Sequence, residues 1–194
     1  GGKTHFLVSL GGQALNDNYA VSYIACSDNI SFDKSLEIYR AFISSITFPG
    51  AETAGLSAML ARIINHKAKV IKETAPKPEA AMEMWLGTLY REEYPEPSFG
   101  RVASAALREI LHPHECPTGD AAYRWLRGEV DTLTKDERSL MRLATIPTKD
   151  RNEFGRKMLL SAIKFIVEGG VNGVVILFDE VETLLTAKGK ALLR

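Results

Sequence analysis

The sequence predicts an α/β fold with a parallel sheet, and this prediction rests on two apolar runs and the helical periodicity between them. The first run, Val174 to Phe178, has five apolar residues and ends at Asp179 and Glu180. Such a run is typical of a strand that is buried on both faces of a parallel sheet. The second run, residues 19–26, is rich in β-branched and aromatic residues and predicts another buried strand. Amphipathic segments fill most of the sequence between the two runs.

The first four residues form a motif that is typical of the end of a phosphate-binding loop. They are Gly1, Gly2, Lys3 and Thr4, and a segment with helical periodicity follows them directly. In such a loop, backbone N–H groups around the glycines hold phosphates, Lys3 places its charge against the β- and γ-phosphates, and Thr4 ligates Mg²⁺. The motif therefore predicts ATP and Mg²⁺ as ligands. A glycine pair before a helix also occurs in ordinary turns and in tag remnants, so a second motif is needed.

Two carboxylates at the end of the later apolar run supply that second motif. Open parallel sheets bind ligands at the C-terminal ends of their strands. We interpret the strand and its acid pair as a Walker B motif, in which Asp179 holds Mg²⁺ through its water shell and Glu180 polarises the attacking water. Together with Lys3 and Thr4, the pair predicts a P-loop NTPase that hydrolyses ATP, with Glu180 and Lys3 as catalytic residues. The alternative is that the two acids only favour the dipole of a following helix.

Helices are predicted on either side of the first strand and before the last one. The first covers residues 4–15, where Gly11 and Gly12 indicate either close packing against the sheet or an early break. The last begins at Asp150 as N-cap, and the glycine pair at residues 169–170 ends it. This last helix leads directly into the Val174 strand.

The middle of the chain predicts helices and no convincing strand. The clearest apolar stripes are Leu56, Met59, Leu60, Ile63 and Ile64 in one segment and Met82, Trp85, Leu86, Leu89 and Tyr90 in the next. These spacings place each set on one side of a helix. A capping box formed by Thr134 and Glu137 predicts the start of a further helix.

The spacing of the two motifs predicts a divided domain. A strand–helix–strand unit needs only about 30 residues, yet the two motifs lie at opposite ends of the sequence. We therefore predict a P-loop core built from residues 1–50 and 150–194, with a large α-helical insertion over residues 51–149. Because the chain begins inside a motif and stops soon after the acid pair, we expect a fragment with a truncated sheet.

Composition excludes several classes of protein. The 194 residues are 45% hydrophobic and 25% charged, which is ordinary for a globular domain. Lys plus Arg equals Asp plus Glu at 24 each, so no overall basic field favours nucleic acid, and we expect any DNA contact to involve regions outside this chain. Two cysteines do not form a disulfide framework, and we find no signal peptide or apolar run long enough to span a membrane. These observations predict a cytoplasmic protein that does not contact a membrane.

Two polar clusters have ordinary interpretations as well as functional ones. His112 to Cys116 contains His and Cys residues, but structural zinc needs four well-placed ligands, so we favour an interhelical loop. Arg62, His66 and Lys69 share one helical face and offer a local patch for nucleic acid or a partner protein. For this patch we favour a solvated helix face.

Three segments together resemble a known family. They are G-K-T-H-F-L at Gly2 to Leu7, W-L-R-G-E at Trp125 to Glu129, and G-V-V-I-L-F-D-E-V-E-T-L-L at Gly173 to Leu185. With these segments, the chain resembles the ATP-binding proteins of bacteriophage-exclusion (BREX) defence systems. Those proteins are P-loop ATPases related to AAA+ and origin-recognition ATPases.

The resemblance implies an ASCE-type, AAA+-like fold, with Lys3 and Thr4 in Walker A and Asp179 and Glu180 in Walker B. It also implies a role in phage defence and partnership with other proteins of the same system. The sensor and arginine-finger residues of such ATPases are absent from this sequence.

The favoured hypothesis is an ATPase module that couples ATP turnover to a conformational change in a larger assembly. A second hypothesis is a nucleotide-gated scaffold that binds ATP without appreciable hydrolysis. A third is an origin-recognition-like DNA-binding AAA+ ATPase, which requires a basic domain outside this sequence.

Overall fold

The two predicted strands pair with each other in parallel. In the computed structural model, which describes residues 2–26, 30 and 33–181, β1 (Ala20–Ala25) and β2 (Val174–Asp179) form one sheet. Ala20 lies opposite Val174 and Ala25 lies opposite Asp179. The predicted strands are confirmed, with ends that differ by one residue. The protein is thus an α/β protein made mostly of helices, with a small parallel sheet.

Eight α-helices surround this sheet within the described residues, and short 3₁₀ turns lie at 130–132, 148–150 and 167–169. The helices are α1 (Gly2–Asn16), α2 (Ser35–Ser45), α3 (Leu56–Thr74), α4 (Pro78–Thr88), α5 (Phe99–Leu111), α6 (Gly119–Leu126), α7 (Lys135–Leu140) and α8 (Arg151–Ile166). None of these helices is long and apolar enough to cross a bilayer. Residues 51–149 contain only helices and loops, as predicted, although the division into core and insertion stays a prediction.

The two faces of the sheet are covered by different helices. Side chains alternate along each strand, so Val21 and Leu177 lie on one face, where they pack with Ala14 of α1. Ala20 and Ile24 lie on the other face and join the main core. That core also contains the buried residues of α2, α3, α5, α6 and α8.

Helix α1 passes through both of its glycines without a break. A Cβ atom on Gly11 would lie 3.2 Å from Leu177 Cδ1 and 3.4 Å from Val21 Cγ1, whereas Gly12 has nothing within 4 Å. Gly11 therefore lets α1 lie close to the sheet. Close packing is the correct alternative of the two that the sequence left open.

Helices α2 and α8 also approach each other through a glycine. A Cβ atom on Gly155 would lie 2.3 Å from the backbone nitrogen of Leu36. This contact brings α8 against α2. Helix α2 in turn covers the face of β1 that joins the main core. Helix α8 therefore lies near the sheet, and the chain continues from α8 into β2.

The predicted apolar stripes differ in how completely they are buried. All five stripe residues of α3 are buried, whereas the stripe predicted for α4 has only Leu86 and Leu89 in the buried core. Tyr90, the last residue of that stripe, is 53% exposed, because α4 ends at Thr88 and the chain turns there. Trp125 of α6 is buried against Phe99 and Phe154.

The two helix starts predicted from capping residues are correct, although only one has the expected side-chain cap. Thr134 and Glu137 form both hydrogen bonds of a capping box at the start of α7. Asp150 occupies the N-cap position of α8, but its side chain makes no cap hydrogen bond, because it lies at the end of a 3₁₀ turn. Helix α8 ends at Ile166 and is followed by the 3₁₀ turn at 167–169, after which Gly170 has a left-handed conformation, with φ of 71°.

Candidate functional site

The first turn of α1 and the end of β2 meet at the C-terminal edge of the sheet. The Thr4 side chain hydrogen-bonds the Asp179 carboxylate, and the Lys3 ammonium lies close enough to act on the same carboxylate electrostatically. Gly2 opens the helix at this point, whereas Gly1 lies outside the described residues. Three of the predicted site residues, from opposite ends of the sequence, are therefore brought together.

The register of the sheet explains why Asp179 meets α1. Asp179 lies two residues beyond Leu177, and therefore on the same face of β2. That face is the one covered by α1, since Gly11 contacts Leu177. The residue opposite Asp179 is Ala25, which has a small side chain. As a result, the Asp179 side chain lies between the sheet and the first turn of α1 and is 7% exposed.

Tyr23 also contacts Asp179, and sequence analysis missed it. Its hydroxyl donates a hydrogen bond to Asp179 Oδ2. Tyr23 lies opposite Leu177 in β1, so its side chain is on the same face as Asp179. The alternation of side chains in β1 offered a signal for this contact. However, that signal becomes specific only when the register between the two strands is known.

Hydrogen bonds hold the Asp179 carboxyl in its ionised form. The bond from Tyr23 is the largest cause that lowers its pKa below the ordinary value, and the Thr4 side chain, the Glu180 backbone N–H and the Lys3 charge lower it further. The same contact raises the pKa of Tyr23 to about 12, because the hydroxyl donates to a negative charge. The site thus contains a carboxylate and a neutral phenol at neutral pH.

The chain changes direction directly after this carboxylate. Glu180 has φ of 57°, which is uncommon for a residue other than glycine. Its backbone N–H donates to Asp179 Oδ1 at 2.9 Å. Because of this left-handed conformation, the alternation of side chains along β2 stops at Asp179. Glu180 is exposed, whereas Asp179 is buried. The two carboxylates therefore have different surroundings.

A comparison with protein families identifies a family for this chain. The family model described as "BREX system ATP-binding protein BrxC/D" matches residues 1–191. The chain belongs to this family. No curated protein and no solved structure gave a match. The family's description is consistent with a role in phage defence and with binding of ATP.

The residues at the sheet edge of this BrxC/D-family chain fit a phosphate ligand and a magnesium ion. Mg²⁺ prefers oxygen ligands, and the ionised Asp179 and the hydroxyl of Thr4 provide two of them side by side. The first turn of α1 begins at Gly2, and the first N–H groups of a helix have no acceptor within the helix. Lys3 adds a positive charge next to them. This set suits an anion that binds together with a divalent cation.

Cys26 lies beside the site of the BrxC/D-family chain without an exposed thiol. It is fully buried just after β1, and its N–H donates to the Asp179 carbonyl at 2.8 Å. Burial raises the pKa of the thiol, and the charges of Asp179 and Glu180 raise it further. Cys26 therefore remains a neutral thiol that packs like a small apolar side chain.

The two other clusters lie away from the sheet edge. His112 to Cys116 form the loop between α5 and α6, and in the part of the chain that the structure describes, no three His, Cys, Asp or Glu residues gather to hold a metal ion. On α3, Arg62 Nε donates to the Gly169 carbonyl at 2.9 Å. His66 is partly buried beside Gly170. The interpretation of this face as solvated is therefore correct only for Lys69, which is exposed.

Proposed function

We propose that this chain is the P-loop nucleotide-binding module of a BREX ATP-binding protein and that it binds and hydrolyses Mg-ATP at the C-terminal edge of the sheet. The observation that supports this best is the meeting of Lys3 and Thr4 with Asp179. These residues come from the two ends of the chain. A contact between a Gly-Lys-Thr helix start and a strand-end carboxylate is the arrangement that a Walker A and a Walker B motif require.

The proposed roles follow from the chemistry of each residue. The backbone of Gly1 and Gly2 and the Lys3 ammonium would bind the phosphates, and Thr4 and Asp179 would hold Mg²⁺. The ion, when bound, would neutralise charge on the phosphates. Each of these groups favours a negatively charged ligand or a cation.

Glu180 is the proposed general base. It is exposed and lies one residue beyond Asp179, where its conformation places it outside the strand alternation. A carboxylate beside the metal-binding one is suited to accept a proton from an attacking water. The parallel pairing of β1 with β2 is consistent with the ASCE-type, AAA+-like sheet that we propose.

We further propose that ATP turnover changes the conformation of a larger assembly formed with other proteins of the same defence system. The family's description supports this part of the proposal, since it names an ATP-binding protein of a BREX system. A nucleotide-gated scaffold without hydrolysis remains the alternative outcome.

The test is nucleotide binding by the full-length protein that contains this chain. We expect Lys3→Ala to weaken binding of a fluorescent ATP analogue in Mg²⁺ by at least about tenfold, because a charge-assisted contact to phosphate contributes about 1.5–3 kcal/mol. Lys34→Ala is the matched control, since Lys34 is an exposed lysine that pairs with Glu37 at the start of α2. Equal affinity of the Lys3→Ala variant and the parent would contradict the proposed site.

A further inference from the structure

We propose that Tyr23 is a positioning residue, which holds the Asp179 carboxylate in the orientation that binds a divalent cation. This inference rests on the proposed function. It adds a residue of β1 to a site that the motifs alone assign to the start of α1 and the end of β2. The consequence is that the affinity of the site for its cation depends on the Tyr23 hydroxyl.

The first observation is that each oxygen of the carboxylate has its own donor. The Tyr23 hydroxyl donates to Oδ2, and the backbone N–H of Glu180 donates to Oδ1 at 2.9 Å. Two donors on different oxygens define the plane of the carboxylate. Without the Tyr23 bond, the remaining donors from Glu180 and Thr4 define this orientation less completely, because the torsion about the Cβ–Cγ bond is soft.

The second observation is that Tyr23 is itself held in place. Its backbone is part of the parallel ladder, opposite Leu177. Its ring packs against the small apolar cluster of Ala14, Val21 and Leu177 under α1. The hydroxyl is therefore presented from a rigid element, and this is the condition under which a hydrogen bond orients its acceptor.

The third observation is that the bond leaves acceptor capacity for a cation. An ionised carboxylate has about four acceptor positions on its two oxygens. The two donors from Tyr23 and Glu180 occupy two of them. The Thr4 hydroxyl also hydrogen-bonds this carboxylate, and it hydrogen-bonds the Tyr23 hydroxyl as well. Three donors therefore leave about one of the four positions for the ion or its water shell.

The orientation of the Asp179 carboxylate matters for the binding of Mg²⁺. It demands near-ideal octahedral geometry, so a ligand that rotates freely binds it less well. Residues that orient metal ligands through hydrogen bonds typically change metal affinity or activity by about 10–100-fold when they are replaced. Tyr23 has the position and the chemistry for this effect.

The experiment compares Tyr23→Phe with the parent in the full-length protein. Phenylalanine keeps the ring in the apolar cluster and removes only the hydroxyl. In the presence of ADP, we expect the affinity for Mn²⁺, measured by electron paramagnetic resonance, to fall about 10–100-fold. In EDTA, we expect the affinity for a fluorescent ADP analogue to stay within about twofold of the parent, since Tyr23 is not placed among the phosphate-binding residues.

Tyr19→Phe is the matched control. Tyr19 also packs on the α1 face, but it precedes β1 and lies at the opposite end of the sheet from Asp179. We expect both affinities of this variant to equal those of the parent. The control separates loss of the Asp179 contact from general loosening of the cluster under α1.

The outcomes separate this inference from the proposed function. If the parent binds Mg-nucleotide and Tyr23→Phe binds Mn²⁺ as well as the parent does, the inference is overturned and the proposed function stands. Equal losses with Mn²⁺ and in EDTA would show a structural role and would also overturn it. If the parent binds no nucleotide under either condition, both the proposed function and the role of Tyr23 are overturned.

Discussion

Asp179 receives hydrogen bonds from residues that lie far apart in the sequence. Tyr23 belongs to β1, Thr4 to α1, and Glu180 follows directly in the chain. A carboxylate between a sheet and a helix needs such partners, because an unpaired one loses hydration without compensation. The same hydrogen bonds keep Asp179 ionised. They therefore stabilise the carboxylate in the fold and also favour its proposed role in metal binding.

At the residue scale, we predict that Glu180→Gln separates nucleotide binding from hydrolysis. Glutamine retains the size of the side chain but cannot accept a proton from water. Loss of a general base typically costs about 10²–10⁴-fold in rate. We therefore expect phosphate release by the full-length protein to slow by at least about 100-fold, while the affinity for ATP stays near that of the parent.

Glu52→Gln is the control for this prediction, since Glu52 is an exposed glutamate in the loop before α3. It should hydrolyse ATP at the parent rate. Undiminished turnover in Glu180→Gln would show that another group activates the water. A parent protein that binds ATP but releases no phosphate would instead support the nucleotide-gated scaffold.

At the scale of elements, glycines determine how closely the helices approach their neighbours. Gly11 lies against Leu177 and Val21 of the sheet, and Gly155 lies against the backbone of Leu36. Both glycines lie inside helices, where glycine costs about 1 kcal/mol relative to alanine. The gain is close packing of α1 on one sheet face and of α8 on the helix that covers the other.

We predict that Gly155→Ala destabilises the protein although alanine is the better helix former. The new Cβ would lie 2.3 Å from the Leu36 nitrogen, and a backbone atom cannot move aside alone. Overpacking of this kind typically costs about 1–3 kcal/mol. The measurement is the free energy of unfolding in urea, with circular dichroism as the probe.

Gly87→Ala provides the opposite case, because Gly87 lies within α4 and has nothing within 4 Å of its missing Cβ. We expect this variant to gain about 0.5–1 kcal/mol from helix propensity alone. If both variants were stabilised equally, α8 and α2 would not be in the close contact described here.

At the scale of the whole molecule, one apolar core joins the sheet to the helices of residues 51–149. The main cluster of buried residues includes Ile24 of β1, Phe42 of α2, Ile63 of α3 and Trp125 of α6. Hydrogen bonds link the same parts, since Tyr39 of α2 donates to the carbonyl of Leu126. The predicted insertion therefore shares its apolar interior with the predicted nucleotide-binding core.

We predict that the sheet and these helices unfold together. Ile24 is 2% exposed, and replacing a buried isoleucine with alanine typically costs about 2–5 kcal/mol. In Ile24→Ala, we expect tryptophan fluorescence to show the same loss of stability as far-UV circular dichroism. Both tryptophans, Trp85 and Trp125, lie within residues 51–149 and not in the sheet. Coincident transitions indicate one cooperative unit.

Leu160→Ala is the control for this prediction, since Leu160 is 49% exposed on α8. Substitutions at such positions usually change stability by less than about 0.5 kcal/mol. A fluorescence transition that did not change in Ile24→Ala would show that residues 51–149 fold as an independent domain. It would thus support a strict division between core and insertion.

The open side of β2 is a further property of the whole molecule. The other side of β1 is covered, since Val21 and Thr47 exchange backbone hydrogen bonds of 3.0 and 2.8 Å. Within the described residues, no segment pairs with the other side of β2.

Local patterns in the sequence were sufficient to locate both strands, the main helices, the capping box of α7 and the candidate residues Lys3, Thr4, Asp179 and Glu180. These features depend on neighbouring residues, on a period of 2 or 3.6, or on a short motif, and each can be recognised before the chain is folded. They also sufficed for the resemblance to BREX ATP-binding proteins, which the family match to residues 1–191 confirms.

The contacts between distant segments were decided only in the folded chain. A shift of one residue in the pairing of β1 with β2 would move Tyr23 to the opposite face from Asp179, and no local pattern specifies that register. The same holds for Gly11 and Gly155, whose neighbours belong to other elements. Side-chain alternation reports which residues share a face within one strand, whereas packing across the core determines which faces meet.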